Sequence, residues 1–176
     1  VIIIDNVGRT RTRGVDVTLQ ARLGDLFSID WGSTFQKARF REYLTDCSGT
    51  PPVCATDYSG NRQVRSPDFQ TSFVADLRIP IDEDAGKLTL RGEYFYQTKT
   101  FFEASNSAGL GEFQPAYGLL NGRLSYVLPG GNLTVALFVK NLEDKRYFRN
   151  VATVRGSGIG APGDPRTFGV NLSWQM

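Results

Sequence analysis

The sequence predicts an all-β fold of seven antiparallel strands that run up and down. Three observations support this prediction. Apolar and polar residues alternate with a period of two in seven segments, no segment has convincing helical spacing, and the connections are short and long by turns. Because successive side chains of a strand point to opposite faces, strict alternation is the pattern of a strand with one apolar face.

Turn-forming residues separate the alternating segments. The short connections are Gly24-Asp25, the acidic stretch 82–86 and Pro129-Gly130-Gly131. The long connections are the polar, glycine-containing stretches 46–67, 105–115 and 141–165. The predicted strands run over 14–23, 26–44, 68–79, 87–96, 120–128, 132–140 and 167–176.

The composition excludes several functional classes. Lysine plus arginine number 20 and aspartate plus glutamate 18, with the two signs interspersed. A nucleic-acid-binding protein concentrates basic residues on one face, so we expect no nucleic-acid partner. The chain has no histidine, and no glycine-rich phosphate loop precedes a helix. We therefore predict that it is not an enzyme and has no catalytic residues, bound metal or cofactor.

The regular alternation of loop lengths favours a transmembrane β-barrel. Barrels of the Gram-negative outer membrane have short periplasmic turns and longer extracellular loops. No apolar run reaches the roughly 20 residues that a spanning helix needs. Single-chain bacterial barrels have even strand numbers, so we expect residues 1–176 to be the C-terminal part of one larger barrel domain. The expected location is the cell outer membrane, with the earlier strands outside this sequence.

The charged side chains indicate which face of the wall meets water. Arginine or lysine facing lipid at the bilayer midplane costs about 2–4 kcal/mol, so we expect the charged face to line a wet lumen. A soluble, secreted β-sandwich with a binding function would show the same alternation and remains an alternative. The charges on this face are Asp16, Arg22, Asp30, Asp76, Arg78, Arg91, Glu93, Arg123 and Lys140.

Aromatic residues on the apolar face form two predicted belts. Phe27, Tyr126 and Trp174 fall near the end of the strands that carries the short turns. Phe69, Tyr96 and Phe168 fall near the opposite end. Amphipathic rings favour the two membrane–water interfaces, so we predict a lipid-interface role for all six.

The two cysteines flank Pro51-Pro52 in the first long loop. Cys47 and Cys54 have no further cysteine or histidine with which to build a zinc site. A disulfide that closes a small loop is the favoured interpretation, and two free thiols are the alternative. A disulfide favours an oxidising compartment such as the periplasm or the cell surface.

Three motifs together resemble the C-terminal barrel region of TonB-dependent outer-membrane receptors. The first is Asn6-Val-Gly-Arg-Thr-Arg-Thr-Arg-Gly-Val-Asp16, and the second is Val139-Lys-Asn-Leu-Glu-Asp-Lys-Arg-Tyr147. The third is Pro165-Arg-Thr-Phe-Gly169, which leads into the last strand. The resemblance implies that these are the final seven of twenty-two strands. It differs at the end of the chain, where the family has phenylalanine and this sequence has Met176.

The resemblance also implies a function and partners. The parent protein would import ferric siderophores or similar large, scarce nutrients. Its partners would be its own plug domain, the TonB complex through an N-terminal coupling box, and outer-membrane lipid with lipopolysaccharide. The plug and the coupling box are expected outside this sequence. A plug-less porin or adhesin barrel is the alternative within the membrane class.

Candidate site residues follow from the predicted sides of the wall. Binding residues concentrate on loops that a rigid scaffold holds, and arginine with aromatic rings suits an anionic iron chelate. The alternative is that the rings pack the rim, while the arginines bind lipopolysaccharide or one another. The candidate ligand contacts are Tyr58, Arg62, Arg65, Phe101, Phe102, Arg149 and Arg155. The candidate plug contacts in the lumen are Arg78, Arg91, Glu93 and Arg123.

Overall fold

The computed structural model describes residues 8–48, 53–109, 111–154 and 157–175. Among these residues, no helix is long and apolar enough to cross a lipid bilayer. The strands in chain order are β1 (Arg9–Leu23), β2 (Phe27–Glu42), β3 (Leu44–Ser48), β4 (Val53–Asp57), β5 (Phe69–Ile79), β6 (Lys87–Gln97), β7 (Thr100–Phe101), β8 (Phe113–Gln114), β9 (Tyr117–Val127), β10 (Leu133–Lys140), β11 (Phe148–Val154), β12 (Ser157–Pro162) and β13 (Thr167–Trp174).

Seven of these strands form one antiparallel sheet in the order β1-β2-β5-β6-β9-β10-β13. Each strand of the sheet is therefore hydrogen-bonded to the next long strand in the chain, as in an up-and-down wall. The fold class and the seven strands predicted from alternation are confirmed. The three short turns lie at one end of the sheet, and the three long loops lie at the other.

The first strand is longer than its hydrophobic pattern predicts. Alternation of apolar residues begins at Gly14, whereas β1 starts at Arg9. Residues 9–13 pair with residues 37–42 of β2, with a register shift between Arg9 and Thr10. The extra residues are arginine and threonine, and they form a strand through backbone pairing and side-chain packing. Because none of them is apolar, the alternation pattern does not show that they belong to the strand.

The two faces of the sheet differ sharply in chemistry. A row of apolar side chains crosses all seven strands through direct cross-strand pairs: Leu23, Phe27, Leu77, Leu90, Leu124, Leu137 and Val170. We call this side the apolar face. The row one step along, on the opposite side, runs through Arg22, Ser28, Asp76, Arg91, Arg123, Phe138 and Gly169. We call that side the polar face.

The apolar face has no protein cover among the described residues. Leu90 is 44% exposed, Leu137 is 53% exposed and Leu172 is 69% exposed, although they lie in the middle of strands. A β-sandwich would bury such side chains against a second sheet. Burying a leucine is worth about 1.5–3 kcal/mol, so a face of this kind requires another apolar phase to cover it. The soluble-sandwich alternative is therefore not favoured.

Most of the packed core lies among the loops, and Ala136 in the middle of β10 is the member of it that lies in the sheet away from them. The buried hydrophobic residues among the described residues are Ala38, Phe40, Phe101, Phe102, Ala136 and Val151. Ala38 and Phe40 lie near the loop end of β2, and Phe101, Phe102 and Val151 belong to the second and third long loops. The loops therefore fold into a structure of their own at one end of the sheet.

Each long loop contains a hairpin that alternation did not predict. β3 pairs with β4, β7 with β8, and β11 with β12, each as a separate two-stranded sheet. The stretches 46–67, 105–115 and 141–165 are predicted to be irregular. The second long loop of the structure begins earlier than predicted, since β6 ends at Gln97 and β9 begins at Tyr117. Packed backbone N–H and C=O groups need partners, and a hairpin satisfies them locally without requiring an apolar side-chain pattern.

Candidate functional site

The three long loops contact one another and form a loop cluster, which comprises residues 58–68, 98–109, 111–116 and 147–154. Side-chain amides make the joint between the first two loops. Asn106 Oδ1 accepts a hydrogen bond from the Arg62 N–H (2.7 Å), and Asn106 Nδ2 donates to the Arg62 carbonyl (3.1 Å). Asn61 Nδ2 donates to the carbonyl of Ala104 at 2.8 Å. The Asn106 amide thus pairs with the backbone of Arg62 as a neighbouring strand would, and this pairing fixes the relative position of the first and second loops.

The third loop attaches to both of the others. Arg65 Nη2 donates to Asn150 Oδ1 at 3.0 Å, which links the first loop to the third. The Phe148 N–H donates to Gln114 Oε1 at 2.7 Å, which links the second loop to the third. Gln114 is buried, so its amide oxygen has no competing solvent. The loops are therefore a linked platform, not three independent segments.

Aromatic rings and cations pack in the middle of this platform. The ring centroids of Phe101 and Phe113 are 6.2 Å apart. The ammonium of Lys99 lies 4.9 Å from the Phe101 centroid and 5.5 Å from the Phe113 centroid. The guanidinium of Arg62 lies 5.9 Å from the Phe101 centroid. Cation–π attraction at such distances is worth about 0.5–2 kcal/mol, depending on desolvation.

An aspartate holds the first loop against the sheet. The carboxylate of Asp68 pairs with Arg62 at 2.6 Å and with Arg39 of β2 at 3.4 Å. All three side chains are about 30% exposed, so solvent screens the pairs only partly. Arg62 is therefore engaged on two sides, by Asp68 and by the Phe101 ring.

Two glutamates lie close together in the cluster. Glu112 is 4% exposed and accepts hydrogen bonds from the hydroxyls of Thr153, at 2.5 Å, and Ser105. Burial raises the pKa of Glu103, and the Glu112 carboxylate raises it further, while Arg65 acts in the opposite sense. The proton affinity of Glu103 is therefore linked to the packing of the loops.

The predicted ligand contacts have different environments. Phe101 and Phe102 are 7% and 9% exposed and face the interior of the loop cluster. Arg65 is exposed, and Arg149 is exposed and paired with Asp164. Tyr58 is half-buried, with its ring edge-on to Tyr43 at 5.5 Å. Arg155 lies outside the described residues.

The turn that opens the third loop depends on Asn141, which has a φ of 49° and is 4% exposed. Its Nδ2 donates to the carbonyls of Lys145 and Asp164, both at 2.9 Å. Its Oδ1 accepts from the Lys145 N–H at 2.8 Å. Its own N–H donates to Asn121 Oδ1 of β9 at 2.9 Å. These hydrogen bonds give Asn141, within the second sequence motif, its structural role.

The polar face carries a charge ladder around Arg91. Arg91 Nε lies 2.8 Å from Glu93, and Nη1 lies 3.5 Å from Asp76 on the neighbouring strand. Arg123 stands directly opposite Arg91 and donates to the Ser125 hydroxyl at 3.1 Å. Among the described residues, Arg78 and Arg123 make no salt bridge. The four predicted lumen residues thus share one face but differ in their pairing.

Aromatic residues lie at both ends of the apolar face. At the loop end, the ring centroids of Phe35 and Phe69 are 4.6 Å apart, and those of Phe69 and Tyr96 are 6.1 Å apart. At the other end, the Tyr126 hydroxyl donates to the Ala85 carbonyl at 2.6 Å. The outermost strand places Phe168 and Trp174 at its two ends, 75% and 65% exposed. Phe27 is the first residue of β2, at the short-turn end.

The cysteines lie in the first of the loop hairpins. Cys47 of β3 stands directly opposite Cys54 of β4 in the register. Cys54 is disulfide-bonded, and the chain contains only these two cysteines.

Several residues that organise the site lack a signal in the sequence. Asp68, Glu112, Asn61, Asn106 and Asn150 act through partners that are distant in the chain. Asn106 has a φ of 52°, and asparagine is a residue type that adopts this conformation more often than most, so its position in a loop is a weak signal.

The fold and the site together define a segment of the wall of a β-barrel receptor. Its apolar face has no protein cover in the part of the chain that the structure describes, its opposite face is charged, and its long loops are joined at one end. Residues 2–142 match the family described as TonB dependent receptor-like, beta-barrel. The chain belongs to that family, which confirms the resemblance drawn from the motifs. It is a family of receptors, not of enzymes.

Similar proteins agree with this assignment. The chain is 22% identical over 143 residues to the probable TonB-dependent siderophore receptor PiuA of Acinetobacter baumannii, covering 81% of this chain and 18% of that protein. The ferric yersiniabactin uptake receptor FyuA from Yersinia pestis matches with a TM-score of 0.79 at 20% identity, covering 96% of this chain and 24% of that chain.

The crystal structure of PiuA from Acinetobacter baumannii matches with a TM-score of 0.72 at 20% identity, covering 93% of this chain and 21% of that chain. At such identity the structural likeness shows the fold alone. The chain spans between 18% and 24% of the length of these proteins.

Proposed function

We propose that this segment forms part of the barrel of a Gram-negative outer-membrane receptor that imports ferric siderophores or similar large, scarce nutrients, driven by the TonB complex. The plug and the remaining strands would belong to the same protein, since the segment spans about a fifth of its relatives. Membership of the family and the siderophore-receptor names of its relatives support this proposal.

One observation carries the membrane part of the proposal. Seven strands in a single layer leave an apolar row across the whole sheet without protein cover among the described residues. Lipid hydrocarbon covers such a face at no cost, while water does not. The charged ladder on the opposite side then faces the lumen, where water and a plug can satisfy it.

The loop cluster supports the receptor part of the proposal. Three loops joined by side-chain amides, of which Gln114 is buried, form a pre-organised surface at the end of the barrel. Pre-organisation reduces the entropy lost on binding. Arg65 and Arg149 are exposed on this surface, and Tyr58 is half-buried. Guanidinium groups bind an anionic chelate through charge, and an aromatic ring adds stacking. We propose these three as ligand contacts, with Phe101 and Phe102 as the packed support beneath them.

Uptake of iron tests the proposal. A strain that lacks the gene for the intact receptor should lose TonB-dependent uptake of a radiolabelled ferric siderophore, and the intact gene should restore it. The double variant R65A/R149A should weaken siderophore binding by about tenfold or more, since each lost charged contact is worth about 1–2 kcal/mol. The matched control K145A/R146A removes two exposed cations from the turn of the third loop. Uptake that persists without TonB and rises linearly with the concentration of the siderophore would contradict the proposal and favour a porin.

The polar face supports a contact with the plug. Arg91 is already neutralised by Glu93 and Asp76, whereas Arg78 and Arg123 make no salt bridge among the described residues. We propose that Arg78 and Arg123 pair with carboxylates of the plug, and that Arg91 and Glu93 orient the ladder around them. Charge reversal with R78E/R123E should loosen the plug and admit a large antibiotic, while R146E should not. Unchanged permeability and transport would count against this contact.

A further inference from the structure

A cationic patch lies on the same side of β1 and β2 as the apolar face. Val15, Val17 and Leu19 point to the apolar face, and the same alternation places Arg13 and Arg11 on that side further towards the loops. In β2 the same step leads from Phe35 to Lys37, Arg39 and Arg41. The intervening Ala38 and Phe40 are 1% and 4% exposed and pack on the opposite side, towards the loops. One face therefore changes from apolar to cationic within two residues.

The strand register brings these cations together. Arg11 stands directly opposite Arg39, and Arg13 stands directly opposite Lys37. With Arg41 they line one depression of about 210 Å³, to which no other described residue contributes. We call these five residues, Arg11, Arg13, Lys37, Arg39 and Arg41, the outer cationic patch.

The patch is almost uncompensated within the described residues. Arg39 lies 3.4 Å from Asp68, but that carboxylate is nearer to Arg62, at 2.6 Å. The other four cations form no ion pair among the described residues, and all four are exposed. Like charges directly opposite each other destabilise a sheet, so two such pairs side by side carry a cost unless an anion lies between them. The required ligand has more than one negative group.

The position of the patch defines that ligand. Successive residues of a strand rise about 3.3 Å, so Arg13 and Lys37 lie about 7 Å beyond Val15 and Phe35. The headgroup layer on each side of the hydrocarbon is about 5–7 Å thick, so these cations reach headgroup depth where the apolar residues end. The patch faces away from the polar face, so it does not line the proposed path of an imported nutrient. It lies at the loop end, which is the outer leaflet side in the proposed receptor.

We propose that the outer cationic patch binds the phosphates of a phosphorylated glycolipid of the outer leaflet, a lipid A-type molecule, with its acyl chains against Val15, Val17 and Phe35. This inference rests on the membrane orientation in the proposed function and adds a defined lipid site to it. Bidentate arginine contacts suit phosphate, and continuity with the apolar face selects a lipid over a soluble anion.

Native mass spectrometry of the intact receptor in detergent tests the site. The triple variant R11Q/R13Q/K37Q should bind bisphosphorylated lipid A at least tenfold more weakly than the unmodified receptor. The matched control K145Q/R146Q/R166Q loses the same charge from exposed residues of the third loop and should bind normally. Dephosphorylated lipid A should bind the unmodified receptor as weakly as the bisphosphorylated lipid binds the triple variant. A heat-modifiable mobility shift of each variant establishes that it is folded.

Three outcomes would overturn the inference. They are equal lipid binding by the triple variant, equal binding of dephosphorylated lipid, and full displacement of lipid A by inorganic pyrophosphate, which would indicate a soluble-anion site. The uptake assay separates this inference from the proposed function. A receptor that imports its siderophore but binds lipid A equally well without the phosphates contradicts only the lipid site. A receptor that binds the lipid through its phosphates but imports nothing contradicts only the transport function.

Discussion

The backbone N–H of Arg166 donates a hydrogen bond of 3.0 Å to Oδ1 of Asp144, which joins the two ends of the third long loop. Asp144 lies in the turn after β10, and Arg166 directly precedes β13. Asn141 reinforces the same closure by donating to the carbonyl of Asp164. The second and third sequence motifs are therefore two halves of one structure, a clamp that fixes the entry of β13 into the sheet. This clamp explains why they occur together.

Asn141 should be sensitive to substitution in two separable ways. N141A removes three side-chain hydrogen bonds from a buried site and places alanine at a φ of 49°. At about 1 kcal/mol for each bond and about 1–2 kcal/mol for the left-handed backbone, we expect a loss of about 4 kcal/mol in the free energy of unfolding. N141G removes the same three hydrogen bonds, but glycine tolerates the positive φ. We therefore expect its loss in the free energy of unfolding to be about 1 kcal/mol smaller than that of N141A. Urea unfolding of the intact receptor in micelles measures both, and equal losses would contradict the assignment of strain.

Gly14 should be sensitive because β1 and β2 approach closely there. A Cβ on Gly14 would lie 2.5 Å from the carbonyl oxygen of Phe35, which is backbone and cannot swing away. We expect G14A to lower the free energy of unfolding by about 1–3 kcal/mol. The matched control is G92A, because a Cβ on Gly92 meets no atom within 4 Å. Urea unfolding of the two variants measures the difference. A G14A receptor as stable as the G92A receptor would show that β1 and β2 can move apart at Gly14 without cost.

How far the sequence predicts this molecule depends on whether a feature is local. The alternation of Phe73, Ala75 and Leu77 with polar neighbours predicts the strand β5. The short and long connections predict the order of the seven strands in the sheet. Arg11 and Arg13 lie in a segment of arginine and threonine with no apolar member, so the strand predicted from alternation begins only at Gly14, whereas β1 begins at Arg9. The partners of Asp68 and Asn106 lie across space, and no local pattern specifies them.

Asn106 should control how tightly the first and second loops are joined. Its amide makes a reciprocal pair with the backbone of Arg62, so N106A removes this pair and leaves the Asn61–Ala104 hydrogen bond as a remaining side-chain link between the two loops. We expect the distance distribution between spin labels at Ser59 and Ser107 to broaden, because the two loops lose their common register. The control is S107A in a receptor that carries its spin labels at Ser59 and Gly109. This substitution removes no described hydrogen bond, because Ser107 donates only through its backbone N–H. A distribution as narrow as that of the unmodified loops would contradict the role of Asn106.

Glu103 should make the loop cluster tighter in acid than at neutral pH. Burial, with the Glu112 carboxylate nearby, raises the pKa of Glu103 above its ordinary value of 4.5. For an acid whose folded pKa is raised, the stabilisation is full below the ordinary value and is lost as pH rises through the raised value. The label distances between Ser59 and Ser107 should therefore broaden as pH increases from about 4 to about 8. E103Q should remain narrow throughout, and E143Q, at an exposed glutamate, should behave as the unmodified receptor. A distance distribution that broadens as pH falls would mean that protonation loosens the loops, and that Glu103 is not the group responsible.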